Sequence, residues 1–253
     1  VSVGSVEKIT SRPDAEGRML SEDQADALMK IGVSGRVLDV LVGPAGTGKT
    51  TTMSALRRAW EKDHGAGSVV GLAPSAAAAD VLAQDLGIST ENTAKWLHEH
   101  RRGTWNLTTG QLVIIDEASL AGTLALDTLT AHAADVGAKV LLVGDWAQLA
   151  AVDAGGAFGM LVRDRGDAPE LLDVRRFRND WEKHASLQLR LGNTDVIDTY
   201  LERDRVTPGT YEDILDAAYT GKGQFDGKPL KNLRALGALY PEQVQLVTLA
   251  SAN

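Results

Sequence analysis

The sequence predicts an α/β fold, in which a mostly parallel β-sheet is covered by helices on both faces. Two observations favour this class. Apolar runs of strand length recur up to about residue 180, and segments with helical periodicity lie between them. The connections are short, so we expect right-handed crossovers between strands that run in parallel. Sheets of this kind bind ligands at the carboxyl ends of their strands.

Five apolar runs are candidate strands, and the last is the weakest. They are VLDVLV (37–42), SVVGLA (68–73), QLVIID (111–116), KVLLVG (139–144) and ELLDV (170–174). The helix after the first run carries Met53, Leu56 and Trp60 on one face. The segment SAAAADVLAQDLG (75–87) begins with a serine that can cap a helix and ends with a glycine that can stop it. Strands and helices are therefore expected to alternate.

The pattern changes after about residue 180, where helical segments follow one another. They are DWEKHASLQLRLG (180–192), TDVIDTYLERD (194–204) and YEDILDAAYTG (211–221). A Gly/Lys-rich link (221–232) then leads to a last helix and the strand QLVTLA (245–250). We predict one domain over 1–190, and over 191–253 a helical linker with the start of a second domain. The chain begins with Val and stops where a strand is ending, so we expect it to be part of a longer protein.

Composition narrows the classes of function. A net charge of -8 argues against nucleic-acid binding by bulk electrostatics, although a narrow basic groove is still compatible with it. The absence of cysteine excludes disulfides, cysteine zinc sites and thiol nucleophiles. No signal-peptide core or membrane-spanning apolar run is present, so we expect a cytoplasmic protein. The five histidines lack metal-ligand spacing, and we interpret His98 and His100 as surface residues.

The segment GPAGTGKT (43–50) matches the phosphate-loop pattern G-x-x-x-x-G-K-[ST] and lies between a predicted strand and a predicted helix. Its glycines allow backbone N–H groups to turn towards a phosphate, and the helix adds its positive end. We expect Lys49 to reach the β- and γ-phosphates and Thr50 to offer its hydroxyl to Mg²⁺. The predicted nucleotide-binding residues are Gly43, Pro44, Ala45, Gly46, Thr47, Gly48, Lys49, Thr50 and Thr51.

A second acidic site follows the buried strand at LVIIDEAS (112–119). Two carboxylates at the end of a buried strand cost free energy unless a cation lies beside them. Asp116 is placed to hold Mg²⁺ through its water shell, and Glu117 to polarise an attacking water as a general base. An adjacent base favours ATP hydrolysis over phosphoryl transfer to a second substrate.

Four segments in this order, GPAGTGKT, DEAS, GDWAQL and VRRFR, resemble motifs I to IV of superfamily 1 DNA helicases of the RecD-like branch. The stretch AVDAGGAF (151–158) is similar to the helicase part of conjugative relaxases of the TraA/TrwC type. The resemblance covers about residues 20–190. It implies a RecA-like P-loop ATPase domain that uses ATP and Mg²⁺, and the final VTLASAN resembles the first strand of a second motor domain.

The resemblance also implies roles for residues around the nucleotide. Gln148 in GDWAQL would hydrogen-bond the γ-phosphate or its attacking water, and Asp145 would help the metal site. In the pattern L-x-x-x-x-R, Arg176 is the phosphate-binding arginine, and a planar cation suits that task. Arg175 and Arg178 are near enough in register to be alternatives.

Further residues are implied in base recognition and DNA contact. Gln24 in LSEDQADAL would pair with the adenine edge, unless that helix is simply solvated. Pro74 and Ser75 would touch the backbone of single-stranded DNA, and Thr93 and Trp96 likewise. Trp96 is equally compatible with a core position, because large aromatic residues at helical spacing usually pack inside, whereas a platform for a base is the functional alternative.

These observations predict the core of an ATP-dependent 5′-3′ DNA helicase or translocase, in a fragment of a conjugative relaxase-helicase that is weakly active or inactive alone. The expected partners are single-stranded DNA and the rest of the same polypeptide, with no membrane. Alternatives are a RecD-like repair helicase without a relaxase, and a degenerate nucleotide-binding module used for DNA binding or assembly. A small-molecule kinase would have no use for GDWAQL. The 5′-3′ direction of movement along DNA is implied by the resemblance alone.

Overall fold

The computed structural model describes residues 1–148 and 156–206, together with 210, 213, 216 and 220. The chain divides into two units, Val1–Leu191 and a second that begins at Gly192. The division of the chain into 1–190 and 191–253 as functional domains stays a prediction. Most of the predicted helix over 211–221 and most of AVDAGGAF lie outside the described residues. The same is true of the whole link over 221–232, the predicted last helix and the last strand over 245–250.

The first unit alternates helices with strands. Its helices are α1 (Val3–Thr10), α2 (Glu22–Val33), α3 (Lys49–His64), α4 (Ala76–Leu86), α5 (Thr93–Arg101), α6 (Thr123–Val136), α7 (Ala157–Asp164) and α8 (Asp180–Arg190). Its strands are β1 (Leu38–Val42), β2 (Val69–Ala73), β3 (Ser89–Asn92), β4 (Leu112–Ile115) and β5 (Lys139–Gly144). A short 3-10 helix, Ala118–Leu120, follows β4. In the second unit, a 3-10 helix (Thr194–Val196) leads into α9 (Ile197–Glu202).

The five strands form one parallel sheet in the order β1-β5-β4-β2-β3. Alternate residues of β1 point to opposite faces: Leu41 joins one apolar core with α1, α2 and α3, whereas Val40 and Val42 join another with α5, α6 and α7. The predicted parallel sheet with helices on both faces is therefore confirmed. No helix among the described residues combines the length and apolar character needed to cross a membrane.

The prediction of a strand at 170–174 is wrong. In that segment only Glu170 forms a β-bridge, to Val42, although Leu171 and Val174 are buried. The fifth strand is instead β3, whose sequence STEN is polar. An edge strand with no fully buried residue carries no apolar run, so hydrophobic patterning does not find it.

An ion pair is buried at the amino ends of β1 and β5. Lys139 Nζ lies 2.6 Å from Asp39 Oδ2, and both side chains are 7% exposed. The ammonium group also donates to the carbonyl oxygens of Ser34 and Arg36 at the end of α2. The pair therefore ties α2 to the sheet at the end opposite the phosphate loop.

We predict that Lys139→Met lowers the free energy of unfolding by about 3 kcal/mol, because removing one partner leaves a buried carboxylate without its closest cation. Urea unfolding of this variant and of Lys30→Met provides the measurement. Lys30 forms an exposed pair with Asp26, and its loss should change stability by less than about 1 kcal/mol. Equal effects of the two substitutions would contradict the prediction.

Candidate functional site

Three loops carry the phosphate-binding, acidic and Gln148 candidates, and they leave neighbouring strands at one edge of the sheet. The phosphate loop follows β1, the Asp145 turn follows β5, and Asp116 follows β4. The register pairs Val42 with Gly144 and Ile115 with Leu142, so these strands end at nearly the same height. Residues that are far apart in the sequence are thereby brought to one place, as expected for ligand sites in parallel sheets.

The phosphate loop has no room for side chains at two of its glycines. Gly46 and Gly48 have φ angles of 85° and 86°, in the left-handed region that glycine adopts most easily. A Cβ atom on Gly46 would lie 2.7 Å from Arg176 Cβ, and one on Gly48 would lie 2.2 Å from Gln24 Nε2. The loop is therefore packed between the Gln24 and Arg176 side chains.

Lys49 begins α3 and its ammonium group donates to the carbonyl oxygen of Gly43 at 2.7 Å. The Thr47 hydroxyl donates to the Pro44 carbonyl at 2.9 Å, which braces the loop from inside. Thr50 is exposed, so its hydroxyl is accessible. The loop thus presents a cation, a hydroxyl and the positive end of a helix together, a combination that suits a phosphate group.

Asp116 and Glu117 lie beyond β4, and both are half-buried. Burial raises the pKa of the Asp116 carboxyl, although the nearby Lys49 partly opposes the shift. Burial and the neighbouring Asp116 charge raise the pKa of Glu117. Glu117 has a φ of 51°, a left-handed conformation that non-glycine residues rarely adopt. Backbone strain of this kind concentrates at functional sites.

Asp145 has a partner that the sequence analysis did not foresee. It is 2% exposed, and its Oδ1 atom accepts from Arg190 Nε at 2.8 Å and from the Ala147 backbone N–H at 3.1 Å. The Asp145 carboxylate is therefore paired with an arginine, and the expectation that it helps the metal site stays a prediction. Gln148 ends the same turn and is exposed.

The segment VRRFR lies against the phosphate loop. The Arg175 backbone N–H donates to the Gly46 carbonyl at 2.8 Å, and the Arg175 side chain pairs with Asp173. The Arg176 side chain approaches Gly46 most closely, and its Nε would be 3.4 Å from a Cβ there. The structure therefore places the Arg176 side chain beside the loop.

Gln24 is buried rather than solvated, at 1% exposure. Its Oε1 accepts from the Ser21 backbone N–H in a capping box at the start of α2. Its Nε2 is directed at the carbonyl oxygens of Thr47 and Gly48, at 3.4 and 3.5 Å. The side chain therefore contacts the phosphate loop directly, whereas its pairing with adenine stays a prediction.

The candidate DNA contacts separate into two groups. Pro74 and Ser75 are exposed at the carboxyl end of β2, and the Ser75 hydroxyl caps α4. Thr93 is 7% exposed and its hydroxyl donates to the Ala73 carbonyl. Trp96 is 1% exposed and stacks on His100 at 4.8 Å between ring centroids, so the core interpretation fits it better than a base platform.

One of the two histidines that were expected at the surface is more buried than predicted. His98 is exposed, as predicted, but His100 is half-buried and its ring lies 4.3 Å from that of His132. No group of three or more potential metal ligands occurs among the residues that the structure describes. Mg²⁺ binds oxygen ligands and usually keeps several waters. The Thr50 hydroxyl and the incompletely neutralised Asp116 carboxylate are oxygen donors of the kind it prefers.

We predict that Asp116→Asn stabilises the nucleotide-free protein at neutral pH. Because folding raises the pKa of Asp116, the folded chain binds this proton more tightly than the unfolded chain does. Above the folded-state pKa, ionisation of Asp116 therefore lowers the free energy of unfolding. This loss shrinks as the pH falls below the folded-state pKa and is gone below the unfolded-state pKa. We expect a gain of up to about 1 kcal/mol, or about 2–4 °C in Tm, that shrinks on acidification.

Thermal unfolding across the acid range measures this effect. The matched control is Asp127→Asn, which changes an exposed aspartate of α6 and should leave Tm nearly unchanged. An Asp116→Asn variant that is less stable than the parent at neutral pH would contradict the electrostatic account.

Comparison with known proteins agrees with this geometry. Residues 19–211 match the profile of a family described as an AAA domain. The chain is 37% identical over 190 residues to the conjugal transfer protein TraA of Rhizobium radiobacter, a match that covers 74% of this chain and 17% of that protein. TraA of Agrobacterium fabrum is 38% identical over 177 residues, 70% of this chain and 16% of the relative.

Two further matches are to helicases. The ATP-dependent RecD2 DNA helicase of Deinococcus radiodurans is 38% identical over 152 residues, covering 56% of this chain and 20% of that protein. The crystal structure of Pif1 helicase from Candida albicans superposes with a TM-score of 0.55 at 20% identity, over 80% of this chain and 54% of that one, and shows a shared fold. The chain spans less than a fifth of the length of its TraA relatives. It belongs to the AAA domain family, as a RecD-like superfamily 1 helicase domain related to the TraA conjugal transfer proteins.

Proposed function

We propose that the chain binds ATP with Mg²⁺ and hydrolyses it to drive 5′-3′ movement along single-stranded DNA, as the motor part of a conjugative relaxase-helicase. One observation carries the proposal. The phosphate loop, the Asp116–Glu117 pair and the Gln148 turn leave three adjacent parallel strands at one edge of the sheet. A kinase or a simple binding module needs the first of these features but not all three.

The phosphate loop would hold the triphosphate. Lys49 donates to the Gly43 carbonyl, and a phosphate oxygen, which is charged, is a stronger acceptor for that ammonium group. Thr50 and Asp116 would hold Mg²⁺, which neutralises phosphate charge when bound. The close packing of Gln24 and Arg176 against the glycines restricts the conformations that the loop can adopt.

Glu117 would act as the general base. A base is most effective when its pKa lies near the working pH, and burial beside Asp116 raises the pKa of Glu117 in that direction. Gln148 would orient the attacking water, because a neutral amide can both donate to phosphate and accept from water. Arg176 would spread the charge that develops on the transferred group.

DNA would be contacted locally, since the net charge of -8 is unfavourable for broad electrostatic attraction. Pro74 and Ser75 are the exposed candidates, at the end of β2 in the same sheet. Residues 191–253 would supply a linker and the start of a second motor domain. The RecD2 similarity supports the alternative of a helicase without a relaxase. The presence of Lys49, Glu117 and Gln148 argues against a degenerate module.

We expect Lys49→Ala in the full-length protein to abolish ATP hydrolysis that is stimulated by single-stranded DNA, with a loss of at least about 100-fold, because a charge-stabilising group is removed. Phosphate release with and without single-stranded DNA is the measurement. Lys62→Ala, which changes an exposed lysine of the same helix α3, is the control and should retain activity. Activity that survives Lys49→Ala, or that ignores DNA, would overturn the proposal.

Glu117→Gln separates binding from chemistry. The amide preserves the size of the side chain but cannot accept a proton, so kcat should fall by about 100- to 10,000-fold. Nucleotide affinity, measured by titration with a fluorescent ATP analogue, should change by less than about threefold, since uniform binding is left in place. A variant that hydrolyses ATP at the parent rate would show that another group is the base.

A further inference from the structure

Four side chains form a cluster beyond the carboxyl end of β5. They are Asp145, Trp146, Glu170 and Arg190. The first two belong to the GDWAQL turn, whereas Arg190 is the last residue of α8. None of the roles described so far uses Arg190, and its position in a helix gives no sequence signal of a functional contact.

Arg190 is held from three sides. Its Nε donates to Asp145 Oδ1 at 2.8 Å, and its Nη2 lies 2.8 Å from the same atom and 3.1 Å from Glu170 Oε1. The guanidinium carbon lies 5.1 Å from the ring centre of Trp146, within cation-π range. The side chains of Arg190 and Asp145 are only 10% and 2% exposed. A buried pair of this kind is costly to form but even more costly to break from one side.

The Asp145 carboxylate also shapes the turn that carries Gln148. The same Oδ1 atom that receives Arg190 accepts the Ala147 backbone N–H at 3.1 Å. The Gln148 backbone N–H donates to the Asp145 carbonyl at 3.2 Å. The carboxylate therefore connects Arg190 to the backbone one residue before Gln148, and displacement of that carboxylate would displace the amide.

We propose that Arg190 is a positioning residue for Gln148, which acts through the Asp145 carboxylate and thereby links the catalytic turn to the end of α8. This inference rests on the proposed ATPase function of the same site. Arg190 lies just before Leu191, where the first unit ends. A change at the end of α8 would therefore alter the turn that holds Gln148, without any change in the phosphate loop.

A positioning role and a merely structural role for Arg190 predict different kinetic effects of its substitution. Loss of positioning should lower kcat and leave KM for ATP nearly unchanged, because Lys49 and its loop are intact. Substitution of Arg190 should also leave kcat unchanged in a protein that lacks the Gln148 side chain, since Arg190 would then have nothing to position. A structural role would lower stability and add its effect regardless of residue 148.

The test is a double-mutant cycle in the full-length protein, with ATP hydrolysis measured at saturating single-stranded DNA. We expect Arg190→Gln to lower kcat on the order of 10- to 100-fold, the loss typical of a small misplacement, with KM for ATP changed by less than about threefold. In a Gln148→Ala background, Arg190→Gln should cause no further loss. Lys183→Gln removes a positive charge from the same helix and should leave kcat unchanged.

Arg190→Lys keeps the charge but loses the forked geometry, so it should give an intermediate kcat and remain folded by thermal unfolding. It serves as the second variant if Arg190→Gln does not fold. An equal loss from either substitution in the presence and absence of Gln148 would overturn the inference, as would a parent-like kcat. Retained hydrolysis in Lys49→Ala would instead overturn the proposed function, so the two failures are distinguishable.

Discussion

The parallel pairing of β1, β5 and β4 is the constraint on which the site depends. Because the three strands run in one direction and end at nearly the same register, every loop that follows them opens at the same edge. Glycines 46 and 48 then bring Arg176 and Gln24 into contact with the phosphate loop, where any side chain would collide. The loop is consequently shaped by tertiary packing as well as by its own sequence.

Among the acidic residues at that edge, Asp145 differs in its neighbours from Asp116 and Glu117. Asp145 is neutralised by Arg190, which makes it part of the framework of the turn. Asp116 and Glu117 are only partly compensated by Lys49, and burial raises the pKa of both. A carboxylate without full compensation is available to a cation or a proton. The distribution of arginine and lysine around the edge therefore separates the supporting acid from those that can do chemistry.

The charged residues at the two ends of the sheet differ in burial and in partners. At the amino ends of β1 and β5, Asp39 and Lys139 are buried together and also fasten α2. At the carboxyl end of the sheet, Lys49 at the start of α3 and Asp116 after β4 remain partly exposed. The amino end holds this closed pair, whereas the carboxyl end holds the Asp145–Arg190 pair and, in addition, charges that can receive a ligand. Parallel sheets favour this division because their ligand-binding loops all lie at one end.

The sequence by itself determined the fold class, the phosphate loop and the acidic strand end, because each is a local pattern of apolar runs, glycines or charges. It failed where the information was not local. The polar edge strand β3 has no apolar run, and the segment 170–174 has apolar residues without forming a strand. The sequence around Trp96 is compatible with a core position and with a base platform, and its burial in the fold favours the core.

Only the tertiary structure decided which arginine lies beside Gly46 and which cation meets Asp145. The partner of Asp145 lies 45 residues further along the chain, on a different helix. Contacts of this kind depend on how helices pack against the sheet, and a periodic pattern specifies only the face that a helix buries.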